Sequence, residues 1–553
     1  MLDAVGTTAH VTARVEAACK PNEIAVSDRV VQLLPDRVEV ERIGAISSEE
    51  SAASVEVYQL SDLSLNDPAL FVARTRTSSL VGRASEWNAI RGFVEVDRGS
   101  GSSAIAVVGA PGMGKSRLLE EASDHARRLR LDFLVFRGRL LQSKQPFGAL
   151  KLLYSQLSQR AQSLFATEDG ELLARCGISR EAANHMVQAL EGDRYAPRME
   201  QLALPDRVQK VVLEGLRLLL LRLAKEAPLL LLCDDVQYLD GASLSFLTDL
   251  VKNPPGDNVR VLMFAREEAA PTFRDLGLDG VTLGPLDDGA AHQLVEAIFE
   301  AEEQREDPEL VEQIVRRSQG LPLALTEFAD YAIRQRQIPG RTLALPLKID
   351  TIFRARLDAL DEDERQLCNL ACVLGNEMPI AHLELMQDLV PHGVNSLLQS
   401  LLDRNVMVDR IDGRVQFSHQ LFHEAAYAAL NQSVRSDLHG KVYDRLNTSR
   451  LNSVAHIDLA RHAHLSGDGA AALPHYWKAC QEAVALAEIH SALAIYEEAQ
   501  SLCRQLGKDA QATASRFAML AFDAAQQLAE QEKCHEDLQA ITTRRIKVDE
   551  GTF

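Results

Sequence analysis

The residues best suited to chemistry form one short run, GAPGMGKS, from Gly109 to Ser116. Gly109, Gly112 and Gly114 let the backbone curl so that its N–H groups point inward. The run follows an apolar strand, AIAVV, and opens a helix, RLLEEASDHARRL, whose N-terminal end adds positive potential. Phosphate oxygens would meet an array of donors there, with Pro111 and Arg117 counted among the nucleotide contacts. Lys115 is suited to neutralise β- and γ-phosphates, and Ser116 to set its hydroxyl on a magnesium ion.

Such a loop needs an acidic partner on another strand, and LLLLCDDVQYLD supplies one. Asp234 and Asp235 close an apolar run at its C-terminal end, where open α/β sheets bind ligands. Asp234 is expected to hold magnesium through water, and Asp235 to orient or deprotonate the attacking water. An acidic turn after a buried strand is the plainer reading of the pair alone; the phosphate loop upstream argues against it. Asp240 falls where a helix could begin. Arg266 ends the strand VRVLMFA and could sense a γ-phosphate, the alternative being an ordinary exposed strand-end arginine. Pro322, in GLPLALTEF, sits on a turn that could abut an adenine ring or simply start a helix.

These side chains can meet only if the right elements carry them. The chain has 553 residues, enough for several domains. Apolar strands alternating with helices between about 80 and 286 predict a parallel sheet covered on both faces. Residues 287–345 read as a small helical lid. Residues 346–432 read as a winged helix, with a two-stranded hairpin in NVMVDRIDGRVQFSH turning at Asp412 and Gly413. Ala-rich amphipathic helices over 433–553 predict a solenoid of helix-hairpin repeats, with His462, Gly467, Ala472 and Tyr476 in one unit and Ala492, Tyr496 and Ala499 in the next. Residues 1–62 alternate helical and strand-like runs and end at a polar linker, 63–79.

A formal charge of −20 disfavours nucleic acid and anionic lipid as partners. The eight cysteines show no disulfide framework, and Cys368 and Cys372, one helical turn apart, suit a packed core better than a metal. The N-terminus lacks the pattern of a signal peptide. The greasiest segment, Leu213 to Cys233, carries too many charges to span a membrane, so a cytoplasmic protein is expected.

In their order, LVGR at Leu80 to Arg83, GAPGMGKS, LLLLCDDVQYLD, the strand ending at Arg266, GLPLA and FSHQLFHEAAYAAL resemble the signal-transducing ATPases with numerous domains, relatives of the AAA ATPases. The resemblance covers roughly Leu80 to Leu430. It implies a P-loop NTPase core, lid and winged helix closing around ATP or ADP with Mg2+, and helical repeats that sense or bind a protein effector. His419 matches that family's winged-helix histidine, with a packed or capping histidine as the plainer reading. The chain departs from the pattern at Asp235, where AAA-type ATPases usually carry Glu. A shorter carboxylate holds water less closely, which implies slow hydrolysis and a switch rather than a motor.

Residues 1–62 resemble a different family, the final α+β segment of class III adenylate and guanylate cyclases, through VGTTAHVTARVEAACKPNEIAVSDRVVQLL and VEVYQL. That resemblance implies roles in nucleotide contact for Arg14, which matches, and for His10, where the family has Asn. The two metal-binding aspartates of those cyclases should precede this helix, where the chain offers only Met1 to Val5. Cyclic nucleotide synthesis by this chain alone is therefore not expected, although a partner could complete a site. The chain is expected to begin inside a longer gene product or to descend from one, and its TTRRIKVDEGTF ending suggests an incomplete repeat array.

Together these readings predict a multidomain α/β plus α protein acting as an ATP-driven signalling switch, with nucleotide-dependent oligomerisation as one means of output. The alternatives are a cyclase regulated by its ATPase, a nucleotide-bound scaffold without turnover, and, more weakly, a winged-helix transcription factor, for which 406–423 carries few clustered Lys and Arg.

Overall fold

The computed structural model describes residues 25–27, 39–48 and 51–62 and most of 80–522, with the main interruptions at 96–102, within 166–177, and at 192–204, 337–344 and 450–453. His10, Arg14, Asp412, the 63–79 linker and the C-terminal TTRRIKVDEGTF lie outside the described residues. The chain divides into two compact units, Met1–Asp67 and Pro68–Phe553.

In the first unit, β1 (Ala25–Ser27), β2 (Glu39–Ser48) and β3 (Ser51–Asp62) form an antiparallel sheet in the order β1-β3-β2. These strands coincide with the strand-like runs EIAVS, RVEVERI and SVEVYQL. Register shifts at Glu39/Val40, Arg42/Gly44 and Ser47/Ser48 bend β2 along β3.

The second unit is built on a five-stranded parallel sheet. Helix α1 (Ala84–Glu95) precedes β4 (Ala104–Gly109), which feeds α2 (Lys115–Arg128); β5 (Asp132–Arg137) comes next. Helices α3 (Gly148–Phe165), α4 (Arg180–Glu191) and α5 (Pro205–Glu226) lead to β6 (Leu229–Asp234). Then come α6 (Gly241–Lys252), β7 (Val259–Ala265) and β8 (Gly280–Leu283). The order is β5-β6-β7-β4-β8. Every residue of β6 is buried, as expected of a strand covered on both faces. Sequence reading finds four of these strands and misses β8. GVTL is short and mostly open to solvent at the sheet edge, so it lacks the continuous apolar run of its neighbours.

Helices α7 (Asp288–Ala301), α8 (Pro308–Ser318) and α9 (Pro322–Arg336) pack round their own core. Asp287 and Asp307 cap α7 and α8 by accepting from the N–H groups of Ala290 and Glu309. Next, α10 (Ile349–Asp358), α11 (Glu362–Leu374), β9 (Glu377–Pro379), α12 (Val394–Asp403), β10 (Met407–Arg410), β11 (Arg414–Phe417) and α13 (Gln420–Ala429) enclose another core, in which Cys368 and Cys372 are buried. The predicted hairpin β10–β11 is a three-stranded antiparallel sheet, because β9 adds to β11. Glu-Met-Pro is too short and too polar to announce a strand; pairing makes it one. Gly413 takes the positive φ that the turn requires, +73°.

Beyond it stack α14 (Gln432–Thr448), α15 (His456–Ser466), α16 (Gly469–Ala485) and α17 (Ile489–Leu506). Gly467, at φ +90°, ends α15 in the left-handed conformation favoured at helix C-termini. Ala472, Tyr476, Ala492 and Ala499 face one shared core, with small side chains letting the helices approach closely. No helix among the described residues is long and apolar enough to cross a membrane.

Candidate functional site

Strand β4 delivers the Gly109–Ser116 loop at the C-terminal edge of the sheet, and α2 begins at Lys115. Gly114, at φ 90°, caps α2 without any side chain, so the first N–H groups of the helix face the loop. Gly112 also has positive φ, +80°, and a Cβ there would lie 3.1 Å from Leu323 Cβ. The loop is thus pressed against the start of α9, where the Leu323 N–H donates to the Gly112 carbonyl at 3.2 Å. That contact brings the GLPLA turn, and with it Pro322, alongside the phosphate loop.

The Lys115 ammonium donates to the carbonyls of Gly109 and Ala110 at 2.7 and 2.9 Å. Burial lowers its pKa, opposed by the negative charges of Asp235 and then Asp234. Lysine and aspartates, 119 and 120 positions apart in sequence, therefore share one electrostatic environment.

At the end of β6 the two aspartates diverge. Asp234 turns its Oδ2 to the Arg137 guanidinium, whose Nε and Nη2 approach to 3.2 and 3.0 Å, and both side chains are only 8% exposed. Asp235 adopts the left-handed backbone, φ 50°, and accepts from Gln237 Nε2 at 2.8 Å. Burial, and then the adjacent Asp234 charge, push its carboxyl up to about 6. Gln237 Oε1 in turn accepts from the Arg266 N–H at 3.0 Å, linking the ends of β6 and β7. The Arg266 side chain lies over the Tyr238 ring, 5.4 Å from its centroid, and 3.9 Å from Glu424 of α13. Gln420, also on α13, donates to the Tyr238 hydroxyl at 3.2 Å.

Other candidate residues fall differently. Ser116 is exposed at the first turn of α2. The Arg117 guanidinium lies along α2 against Glu120 and Glu121, at 3.6 and 3.1 Å. Asp240 caps α6 through Ser243. His419 lies 3.5 Å from Glu327, which is itself held by Arg356 at 2.9 Å. Burial lowers the His419 pKa, opposed by the Glu327 charge.

Three participants escaped the sequence reading. Arg83, the last residue of LVGR, donates to the carbonyl of Met113 at 3.1 Å and to that of Gly284, pinning the phosphate loop from behind. Gln237 and Arg137 are the others. Arg137 had a legible signal, since a purely apolar strand ending in arginine must find that charge a buried partner.

Residues 79–263 match the family model of the AAA ATPase domain, a span that includes the Gly109–Ser116 loop and Asp234–Asp235 and stops short of Arg266. An uncharacterized protein of Rhizobium meliloti (strain 1021) is 23% identical over 537 residues, covering 93% of this chain and 51% of that protein. The chain thus spans about half the length of this curated relative. Among solved structures, it is similar to a Signal Transduction ATPase with Numerous Domains (STAND) protein with a tetratricopeptide repeat sensor from Pyrococcus horikoshii, with TM-score 0.43 and 13% identity over 83% of this chain and 66% of that one. It is also similar to the Walker-type ATPase of Pyrococcus abyssi, with TM-score 0.33 and 15% identity over 65% of this chain and 99% of that one.

Proposed function

We propose that this chain is an ATP-binding, slowly hydrolysing signalling switch. Its parts would be an ATPase core at 80–286, a lid at 287–345, a winged-helix domain at 346–432 and effector-binding repeats at 433–553. The observation that carries the proposal is the convergence of Lys115, Asp234 and Asp235 at one sheet edge, with the lid backbone and winged-helix side chains touching the same edge.

The residues fit a nucleotide. A helix N-terminus capped by bare Gly114 offers N–H groups to an anion, and the Lys115 ammonium is already turned toward the loop. Gly109, Pro111, Gly112, Gly114, Lys115 and Ser116 would hold the phosphates, and Pro322 would flank the base. Ser116 and Asp234 would hold a magnesium ion, which supplies neutralising charge to the phosphates. Asp235, its carboxyl raised toward neutrality and steadied by Gln237, is suited to take a proton from water. Arg266, on the next strand and in contact with α13, is suited to report the nucleotide state to the winged-helix domain.

Phosphate release and nucleotide binding on purified protein, beside Lys115→Ala and Asp235→Asn, test this reading. Lys115→Ala should lose binding, whereas Asp235→Asn should bind ATP and lose turnover. A protein that binds no ATP overturns the proposal. The cyclase-like reading of 1–62 rests on its sequence resemblance alone; cyclic AMP formed in the same reactions and lost on Arg14→Ala would make synthesis the function instead.

A further inference from the structure

Arg137 closes β5 directly beside Asp234, its register partner on β6. Both of its contacts go to one oxygen, Asp234 Oδ2, in a site almost closed to solvent. The backbone locks this arrangement. The Gly138 N–H donates to the Asp234 carbonyl at 2.9 Å, and a Cβ on Gly138 would lie 2.2 Å from the Asp235 carbonyl oxygen. Only glycine lets the two strand ends approach so closely.

Two residues beyond Arg137, the Arg139 Nη2 meets Glu377 Oε1 at 2.7 Å, and the same oxygen receives Arg414 Nε at 2.8 Å. Glu377 belongs to β9 and Arg414 to β11, so the winged-helix sheet is tied to the loop that follows Arg137. After Asp234, Glu377 and then Asp235 are the charges that act most strongly on Arg137. Arg137 thus faces Asp234, while Arg139, two residues on, and Arg414 of the winged-helix sheet meet at Glu377.

A guanidinium this close neutralises the carboxylate that a divalent cation would approach. In a buried site two cations drawn to one carboxylate repel each other strongly. We propose that Arg137 is a positioning residue, a resident counter-ion against which magnesium must compete at Asp234, and that Glu377 of the winged-helix sheet sets how strongly it competes. The inference rests on the nucleotide-switch reading and deepens it: docking of the winged-helix sheet tunes the divalent-cation requirement of nucleotide binding.

The test is affinity for a fluorescent ADP analogue, first in EDTA and then across a magnesium titration, on the full chain. Arg137→Gln should lower the magnesium concentration for half-effect, on the order of tenfold. Glu377→Gln, which removes negative charge beside the arginines, should raise it, and Arg137→Lys should stay near the wild type. Opposite signs for the two neutralising variants are the signature, because simple loss of stability would move both the same way. If Arg137→Gln does not fold, the direction for Glu377→Gln decides. An unchanged or raised requirement in folded Arg137→Gln, or a lowered one in Glu377→Gln, overturns the proposal. Wild-type protein that binds no analogue with or without magnesium overturns the nucleotide-switch reading instead.

Discussion

The pairing of Asp234 with Arg137 answers the repulsion between two adjacent carboxylates, of which Asp234 is buried and Asp235 partly so. Burial, and then the Asp234 charge, already raise the Asp235 pKa, and without a positive neighbour the two carboxylates would favour taking up a proton more strongly. Gly138 is the residue on which this depends most. Gly138→Ala must displace the Asp235 carbonyl, a backbone atom, so it should cost about 1–3 kcal/mol of stability and weaken ADP binding as well. Thermal melting with and without ADP checks both effects. The loop motif and the paired aspartates were legible because their types and spacing are constrained by the chemistry. Arg83 and Gln237 were not, since each acts through partners far away in sequence or through a turn that no pattern announces.

Between elements, α9 is tied to α10 by a buried ion pair. Glu327 of α9 is 3% exposed and receives the Arg356 Nη1 from α10 on both carboxylate oxygens, at 2.9 and 3.0 Å. Arg356→Met would strand that carboxylate, with an expected loss of about 3–5 kcal/mol in denaturant unfolding. Changing Glu327 to Leu in the same chain should recover most of the loss, because the penalty lies in the unpaired charge. Elements with strong periodicity or continuous apolar runs, such as β6 and α2, were readable in advance. The strands β8 and β9 were not, because a short edge strand draws its identity from its neighbour's hydrogen bonds rather than from its own residues.

Across the second unit, helices α15 and α17 reach the segments that follow β5 and β6. Lys144 pairs with Glu498, Gln145 donates to Asp458 at 3.0 Å, and Glu488, just before α17, accepts from the Ala242 N–H at the start of α6. Glu488 is 1% exposed, as is Asp240 beside it. Burial, and then the Asp240 charge, push the Glu488 carboxyl up to about 8. A folded-state pKa raised above the unfolded value favours the protonated form in the fold. The stability it contributes is therefore full below the ordinary glutamate range and is lost as pH rises toward 8. Glu488→Gln should flatten this decline between pH 5 and pH 8, and limited proteolysis of helices α15–α17 against pH should show the same trend. A wild-type contact that tightens with rising pH would refute it.

By itself the sequence determined the phosphate loop, the acidic strand end, the α/β character of the core and the helical character of the chain beyond the core, because these are local patterns that backbone geometry and burial translate directly. The tertiary structure alone decided which charges meet: that Asp234 faces Arg137, that Arg117 lies against Glu121 of its own helix, and that Glu377 and Glu488 reach the core from far along the chain. Charge pairing is set by distance and dielectric once the chain has folded, and neither is written in the spacing of residues along it.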